Sequence, residues 1–264
     1  MPATLTYAQE RIVALSPAIN EIIFAVGAGD QIVANTFYAD YPPAAKNIYK
    51  VGGYFRPDLE KILLVRPTLV IMHPHDPLMV KRLTDMGLRV VTASMETLAD
   101  IVQAVETIGA AVGKPAAGQQ LAAEMRAKIA KVRATDTKLK ILVVFGMDND
   151  MGKGIFIAGQ NLYFDSIIRL VGAHNAYQSA VGGQPVLTIE GILALQPDVV
   201  IILAPNRQEQ SLSVADLQRP WQSLAIPAAT NQRIHVIDAD YCAIPSHRVM
   251  YLLDDFQKIV QSAQ

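Results

Sequence analysis

The sequence predicts an α/β protein of two similar lobes, each with a mostly parallel central sheet, joined by one long rigid α-helix. Three observations carry this. Short apolar runs of strand length alternate with longer helical patterns, as parallel sheets with helical crossovers require. The runs fall into two groups on either side of a polar, alanine-rich stretch at residues 95–133. A block in the first group recurs in the second at a constant offset of 130 residues without a gap, the mark of a duplicated structural unit.

In chain order, strands are expected at residues 11–15, 31–36, 69–73 and 89–93, then at 140–146, 155–159, 199–203 and 233–238. Glu21-Ile22-Ile23-Phe24-Ala25-Val26-Gly27-Ala28 reads as a helix closed by a glycine at its C-cap, and Ser166-Ile167-Ile168-Arg169-Leu170-Val171-Gly172-Ala173 repeats it. The offset-130 block runs from Leu59-Glu60-Lys61-Ile62 through Pro67 to Leu69-Val70-Ile71, and again from Ile189-Glu190-Gly191-Ile192 through Pro197 to Val199-Val200-Ile201. Each copy reads as helix, proline, buried strand. Arg89-Val90-Val91-Thr92-Ala93 echoes His235-Val236-Ile237-Asp238-Ala239 less well. In the middle stretch Gly113-Lys114-Pro115 is a break, and proline suits the first turn of a helix. Leu121, Met125, Ile129 and Val132 then recur at helical spacing. A helix of roughly 20 residues follows, about 30 Å long at ~1.5 Å per residue. The expected division is an N-terminal lobe at 1–113, a linking helix at 114–136 and a C-terminal lobe at 137–264. Two lobes so joined leave a cleft, a preferred kind of ligand site. A duplicated enzyme core would show the same symmetry.

Composition excludes several classes of function. The 264 residues are 51% hydrophobic and only 18% charged, enough apolar material for a sizeable core and too much for disorder. Lys and Arg number 23 against 24 Asp and Glu and are scattered along the chain, so the electrostatic footprint of a nucleic-acid binder is missing. Cys242 is the single cysteine. It permits neither an intramolecular disulfide nor a multi-cysteine metal site, and a buried thiol is the expectation. No apolar run approaches the ~20 residues that span a bilayer. The opening MPATLTYAQERIVAL has neither the basic segment nor the long apolar run of a secretory signal, which leaves the compartment open.

Phosphate loops, G-x-S-x-G elbows and G-x-G-x-x-G fingerprints are missing from the sequence. Asp148-Asn149-Asp150-Met151-Gly152 hints at a calcium loop, but its glycine is one place early and the twelfth position has no Glu, so a turn is expected. Met72-His73-Pro74-His75-Asp76 places H-x-H at a strand end, where two imidazoles can hold a metal. A metal-dependent hydrolase built on His73, His75 and Asp76 is the alternative from a different class. It needs more ligands than His174, His235 and His247 readily supply. A ligand-facing loop is the favoured reading, because parallel sheets bind ligands at the carboxyl ends of their strands. Aromatics and cations gather in such loops: Phe37, Tyr38 and Tyr41; Tyr54, Phe55 and Arg56; Arg207 and Trp221; Tyr241, His247 and Arg248. Rigid aromatic walls suit a large flat ligand, and arginine forks suit anionic oxygens. Glu60 and Glu190 hold equivalent places in the repeat, so a partner with matching arginines could read them as a pair. Solvated surface glutamates are the plain alternative.

At these residues the sequence resembles the substrate-binding proteins of ATP-binding-cassette importers for iron chelates, haem and cobalamin. The likeness runs from Arg11-Ile12-Val13-Ala14-Leu15-Ser16-Pro17 to the last helix. It is most specific at Tyr38-Ala39-Asp40-Tyr41-Pro42-Pro43, Val51-Gly52-Gly53-Tyr54-Phe55-Arg56-Pro57-Asp58-Leu59-Glu60 and Pro67-Thr68-Leu69-Val70-Ile71. The resemblance implies a receptor that performs no chemistry and needs no cofactor. Its ligand is a metal chelate held in the cleft by Tyr38, Tyr54, Phe55, Arg56, His73, Arg207, Tyr241 and Arg248. It implies that Glu60 and Glu190 dock a membrane permease, one per lobe, and that the protein is a monomer exported to the periplasm or cell surface. Spacing from Val33 to Ile62 looks like the cobalamin-binding members, whose aromatics at the positions of Tyr38, Tyr54 and Tyr241 line the corrin. Gly53-Tyr54-Phe55-Arg56 is similar to the haem-binding segment whose tyrosine ligates iron. Arg56, Arg207 and Arg248 would suit a siderophore's oxygens. Cobalamin and ferric siderophore rank level, with haem third.

Overall fold

The computed structural model describes residues 10–134, 136–146, 151–179 and 183–263. They form two compact units, the first Met1–Met95 with Ala99–Arg126 and the second Glu96–Leu98 with Ala127–Gln264.

The first unit contains, in order, β1 (Ile12–Ala14), α1 (Pro17–Ala25), β2 (Ile32–Asn35), β3 (Tyr49–Lys50), α2 (Leu59–Leu64), β4 (Leu69–Met72), α3 (Pro77–Asp85), β5 (Arg89–Thr92) and most of α4 (Leu98–Ala111) and α5 (Pro115–Lys131). Its sheet has the order β3-β2-β1-β4-β5 with every pairing parallel. Val13, Leu15, Ala34, Ile62, Val70, Met72 and Leu83 fill the core beneath one face. Local chemistry starts and stops the helices. Ser16 accepts the Ile19 N–H at 3.1 Å to cap α1, and Pro17 follows in the first turn. Gly27 then ends that helix at φ 78°, and Ala28 N–H reaches back to the Ile23 carbonyl at 3.0 Å.

The second unit contains β6 (Lys140–Phe145), β7 (Ile155–Phe156), α6 (Tyr163–Leu170), β8 (His174–Asn175), β9 (Val186–Leu187), α7 (Ile189–Leu195), β10 (Val199–Leu203), α8 (Val214–Gln222), α9 (Pro227–Thr230), β11 (Ile234–Ile237) and α10 (Val249–Ser262). Its main sheet, β11-β10-β6-β8, is parallel throughout, and β7 pairs with β9 as a separate antiparallel ribbon.

The internal repeat is real in three dimensions. Taken unit by unit, β2-β1-β4-β5 corresponds to β8-β6-β10-β11. Gly172 repeats the left-handed turn of Gly27 at φ 80°, with Ala173 N–H on the Ile168 carbonyl at 3.0 Å. Arg66 and Gln196, which precede the paired prolines, are both left-handed at φ 45° and 46°. Sheet register aligns Val90 with Ile234, because Val70 and Val200 are their partners. That is two residues from the sequence echo, a shift that keeps each side chain on the same sheet face. The strands missed in the sequence, β3, β8 and β9, have two residues each, too few for any periodicity to register.

Where one helix was expected after the Gly-Lys-Pro break, α5 has 17 residues and the division between units falls within it. It pairs with α4 at closest approach through two glycines. A Cβ built on Gly109 would lie 2.8 Å from the Gly118 Cα. The Arg126 guanidinium closes the same pair on both Glu106 oxygens at 2.7 and 2.9 Å. Gly109→Ala would add about 1 kcal/mol of helix propensity and cost about 1–3 kcal/mol in overpacking against backbone that cannot swing away. Net destabilisation is expected, read as a lower thermal midpoint; a raised midpoint would show that the helices part without penalty.

Candidate ligand-binding site

In the first unit the strands all run the same way, so the residues that follow them emerge along one sheet edge. Phe37 and Tyr38 follow β2, residues 51–56 follow β3, and His73, Pro74 and His75 follow β4. The β2 loop is fixed from inside. Buried Asn20 donates to the Tyr41 carbonyl at 2.9 Å, and buried Asn35 donates to Asn20 Oδ1 at 3.0 Å and the Ala45 carbonyl at 3.1 Å. Lys50 Nζ donates to the carbonyls of Ala39 and Ala45 at 3.0 and 3.2 Å. Burial lowers the Lys50 pKa, and Asp40 partly offsets the effect. On this anchored loop Tyr38 is left-handed at φ 64° and 77% exposed.

The β3 loop is closed as tightly. Gly52 sits at φ 109°, where a Cβ would come within 2.9 Å of the Arg56 carbonyl. It bridges Pro57 in antiparallel fashion and accepts the Phe37 N–H at 2.9 Å, which ties the two loops together. The turn between Gly52 and Pro57 lifts Phe55, 76% exposed, with Arg56 exposed and Tyr54 half-buried. Tyr54 meets Phe55 edge to face with centroids 4.6 Å apart, and His75 at 4.8 Å. Phe55 and His73 lie 5.7 and 5.5 Å from His75. The rings stand over a hollow lined by Leu15, Tyr54, Pro57, Met72, His75 and Asp76. Tyr38, Tyr54, Phe55, Arg56 and His73 thus all belong to one edge of one sheet.

This edge does not assemble the metal hydrolase. Asp76 is spent as the N-cap of α3, accepting the Met79 N–H at 2.9 Å, and His73 Nε2 accepts the Met95 N–H at 3.3 Å. Among the described residues no three His, Cys, Asp or Glu side chains come together to hold a metal ion. The Asp148-Asn149-Asp150 turn lies outside the described residues.

In the second unit Arg207, Tyr241 and Arg248 follow β10 and β11, and each is engaged by its own unit. Arg207 Nε donates to Asp238 at 2.7 Å. The Arg248 side chain, 5% exposed, is paired with Asp240 at 2.7 Å and lies over the Tyr241 ring. Tyr241 donates its hydroxyl to Asp255 at 2.8 Å, and burial together with that carboxylate pushes its pKa up to about 12. Cys242 is fully buried and its thiol is pushed up to about 12 by desolvation, which makes it inert. Trp221, expected in a loop, is instead on α8 in the core with Leu217, Ile226 and Ile234. The apolar spacing of that helix turns it inward.

Glu60 and Glu190 share a local geometry. Each is the second residue of a short helix, behind an N-cap that binds the third N–H: Asp58 to Lys61 at 3.2 Å, Thr188 to Gly191 at 3.3 Å. Both are exposed, with Ile62 and Ile192 fully buried two residues on. Hydrogen bonds from its own N–H and from Thr188 hold the Glu190 carboxyl below the usual range.

Residues 12–241 match the periplasmic binding protein family. The chain belongs to that family. It is 26% identical to the vitamin B12-binding protein of Vibrio cholerae serotype O1 over 257 residues, 97% of this chain and 90% of the relative. Among solved structures, the periplasmic vitamin B12 binding protein BtuF of Vibrio cholerae superposes with a TM-score of 0.82 at 26% identity, covering 97% of this chain and 98% of that one. The periplasmic heme-binding protein RhuT from Roseiflexus sp. RS-1, in apo form, gives 0.81 at 28% identity, covering 97% and 100%. Periplasmic binding proteins carry a substrate, in keeping with a ring-lined edge.

His247, beside the Arg248 network, has its Nδ1 buried without a hydrogen-bond partner, and desolvation lowers its pKa to about 4. The folded chain keeps it neutral while the unfolded chain protonates it near 6.5. Its contribution is therefore full above pH 6.5 and is lost as pH falls toward 4. Between pH 7.5 and 4.5 the loss is about 2 kcal/mol. Unfolding free energies at those two pH values should converge by about that amount in His247→Gln relative to wild type; an unchanged gap would place the acid sensitivity elsewhere.

Proposed function

We propose that this chain captures a metal tetrapyrrole, a corrin or a porphyrin, and delivers it to the permease of an ATP-binding-cassette importer. The observation that carries the reading is the exposed ring cluster on the strand-end edge of the first unit, with Tyr38, Tyr54 and Phe55 on loops locked by Asn35, Lys50 and Gly52. Rigid aromatic faces match the flat, largely apolar face of a macrocycle. The two relatives named above bind vitamin B12 and heme, both flat metal-centred rings. A siderophore would call on free guanidinium groups, and Arg207 and Arg248 are already paired with Asp238 and Asp240. Arg56, exposed at the loop tip, is the cation proposed to meet the ligand's periphery. Arg207, Tyr241 and Arg248 act as positioning residues for their loops, and His73 holds the β4 loop.

The carrier works as one copy in the periplasm, without a cofactor. Equilibrium titration with cyanocobalamin, haemin and a ferric siderophore, followed by fluorescence and visible absorbance, tests the ligand class. Phe55→Ala should weaken the cognate macrocycle by about tenfold or more, the loss of one buried aromatic contact. Preference for the siderophore, or indifference to Phe55, would overturn the reading.

Glu60 and Glu190 are the proposed permease contacts. Leu63 and Leu64, exposed three and four residues beyond Glu60, share its helix face. They give the charge an apolar surround that a partner can desolvate. Glu60→Arg combined with Glu190→Arg should leave ligand affinity unchanged and abolish uptake through the reconstituted importer. Uptake that survives the double reversal would remove the docking role.

A further inference from the structure

Free and chelated metals ask a protein for different numbers of donors. A free divalent ion takes three or four from the chain, and no such group exists among the described residues. A metal already held by the four nitrogens of a macrocycle has only axial positions to fill, and one side chain suffices. The first unit has a residue suited to this. His75 is exposed at the end of β4, with Tyr54, His73 and Phe55 ring centroids at 4.8, 5.5 and 5.7 Å. Its neighbours are occupied: Asp76 caps α3, and His73 Nε2 receives the Met95 N–H. Among the described residues no hydrogen bond ends on the His75 imidazole, although rings flank it. Asp76 and Pro77 start α3 directly after it, so its backbone is pinned while its ring faces outward.

We propose that His75 donates an axial nitrogen to the metal of the bound macrocycle, with Tyr54 and Phe55 forming the wall beside it. The proposal rests on the tetrapyrrole reading above and names the donor within it. Tyr54, the residue the sequence resemblance offers as an iron ligand, is half-buried, whereas His75, which lines the same hollow, is exposed. An imidazole nitrogen also suits both iron and cobalt. In the step itself the nitrogen lone pair replaces a water on the metal. The water leaves intact, and no electron or proton changes owner when the imidazole arrives neutral.

The test uses the full chain with haemin and, separately, aquocobalamin. The wild-type complex should show the visible and electron-paramagnetic signatures of nitrogen ligation with haemin, and the spectral shift of water replacement with aquocobalamin. His75→Ala and His75→Gln should lose those signatures and weaken binding about 10- to 100-fold, and added imidazole should restore the spectrum of His75→Ala. Tyr54→Phe should keep the nitrogen signature. Binding with an unchanged spectrum in both His75 variants, or loss of the signature in Tyr54→Phe alone, would overturn the ligation and leave the carrier reading standing. Failure of wild type to bind either probe would overturn both. Far-ultraviolet circular dichroism on each variant separates loss of ligation from loss of fold.

Discussion

Parallel pairing is the constraint on which the rest depends. A parallel pair cannot be joined by a tight turn; the chain must cross back over the sheet, so every strand of a parallel sheet ends at the same edge. In the main sheet of each unit every pairing is parallel. That sends the β2, β3 and β4 loops of the first unit out side by side. It brings together Tyr38, Tyr54 and His75, which are far apart in sequence. The same constraint operates in the second unit and brings Arg207 next to Asp238, at the ends of β10 and β11.

An exposed aromatic ledge is costly to hold open, because rings in water gain by collapsing onto the nearest apolar surface. Here the backbone resists it. The Asn20–Asn35 network and Lys50 tie the β2 loop from within, and the Gly52 turn sets the β3 loop where only a glycine fits. Their hydrogen bonds leave the rings little freedom to sink. Preorganisation of this kind lowers the ordering cost of ligand capture.

The two units share their sheet order but use the strand ends differently. The first presents rings, whereas the second spends Arg207, Arg248 and Tyr241 on internal carboxylates, with the buried Arg248 guanidinium over the Tyr241 ring. Duplication therefore preserved what the core needs, the strands, the glycine stops and the left-handed residues before proline. The loops, which the core does not constrain, diverged.

Much of this was legible in the residues themselves. The α/β class, the glycine-closed helices, the offset-130 block and the paired glutamates all follow from local patterns, because apolar periodicity and capping chemistry act between residues a few places apart. Two-residue strands such as β3 and β8 were invisible, since their existence comes from a neighbouring strand and not from their own sequence. Trp221 read as a loop aromatic until packing placed it on the inner face of α8. Asp76 belonged to the alternative metal-hydrolase reading until the α3 N-terminus claimed its carboxylate, and His75, named beside it, gained its significance only from the rings near it. The sequence by itself determined which elements form and that they form twice. Tertiary structure alone decided which polar side chains are consumed inside the fold and which are left to meet a ligand, because hydrogen-bond partners and burial depend on residues distant in the chain.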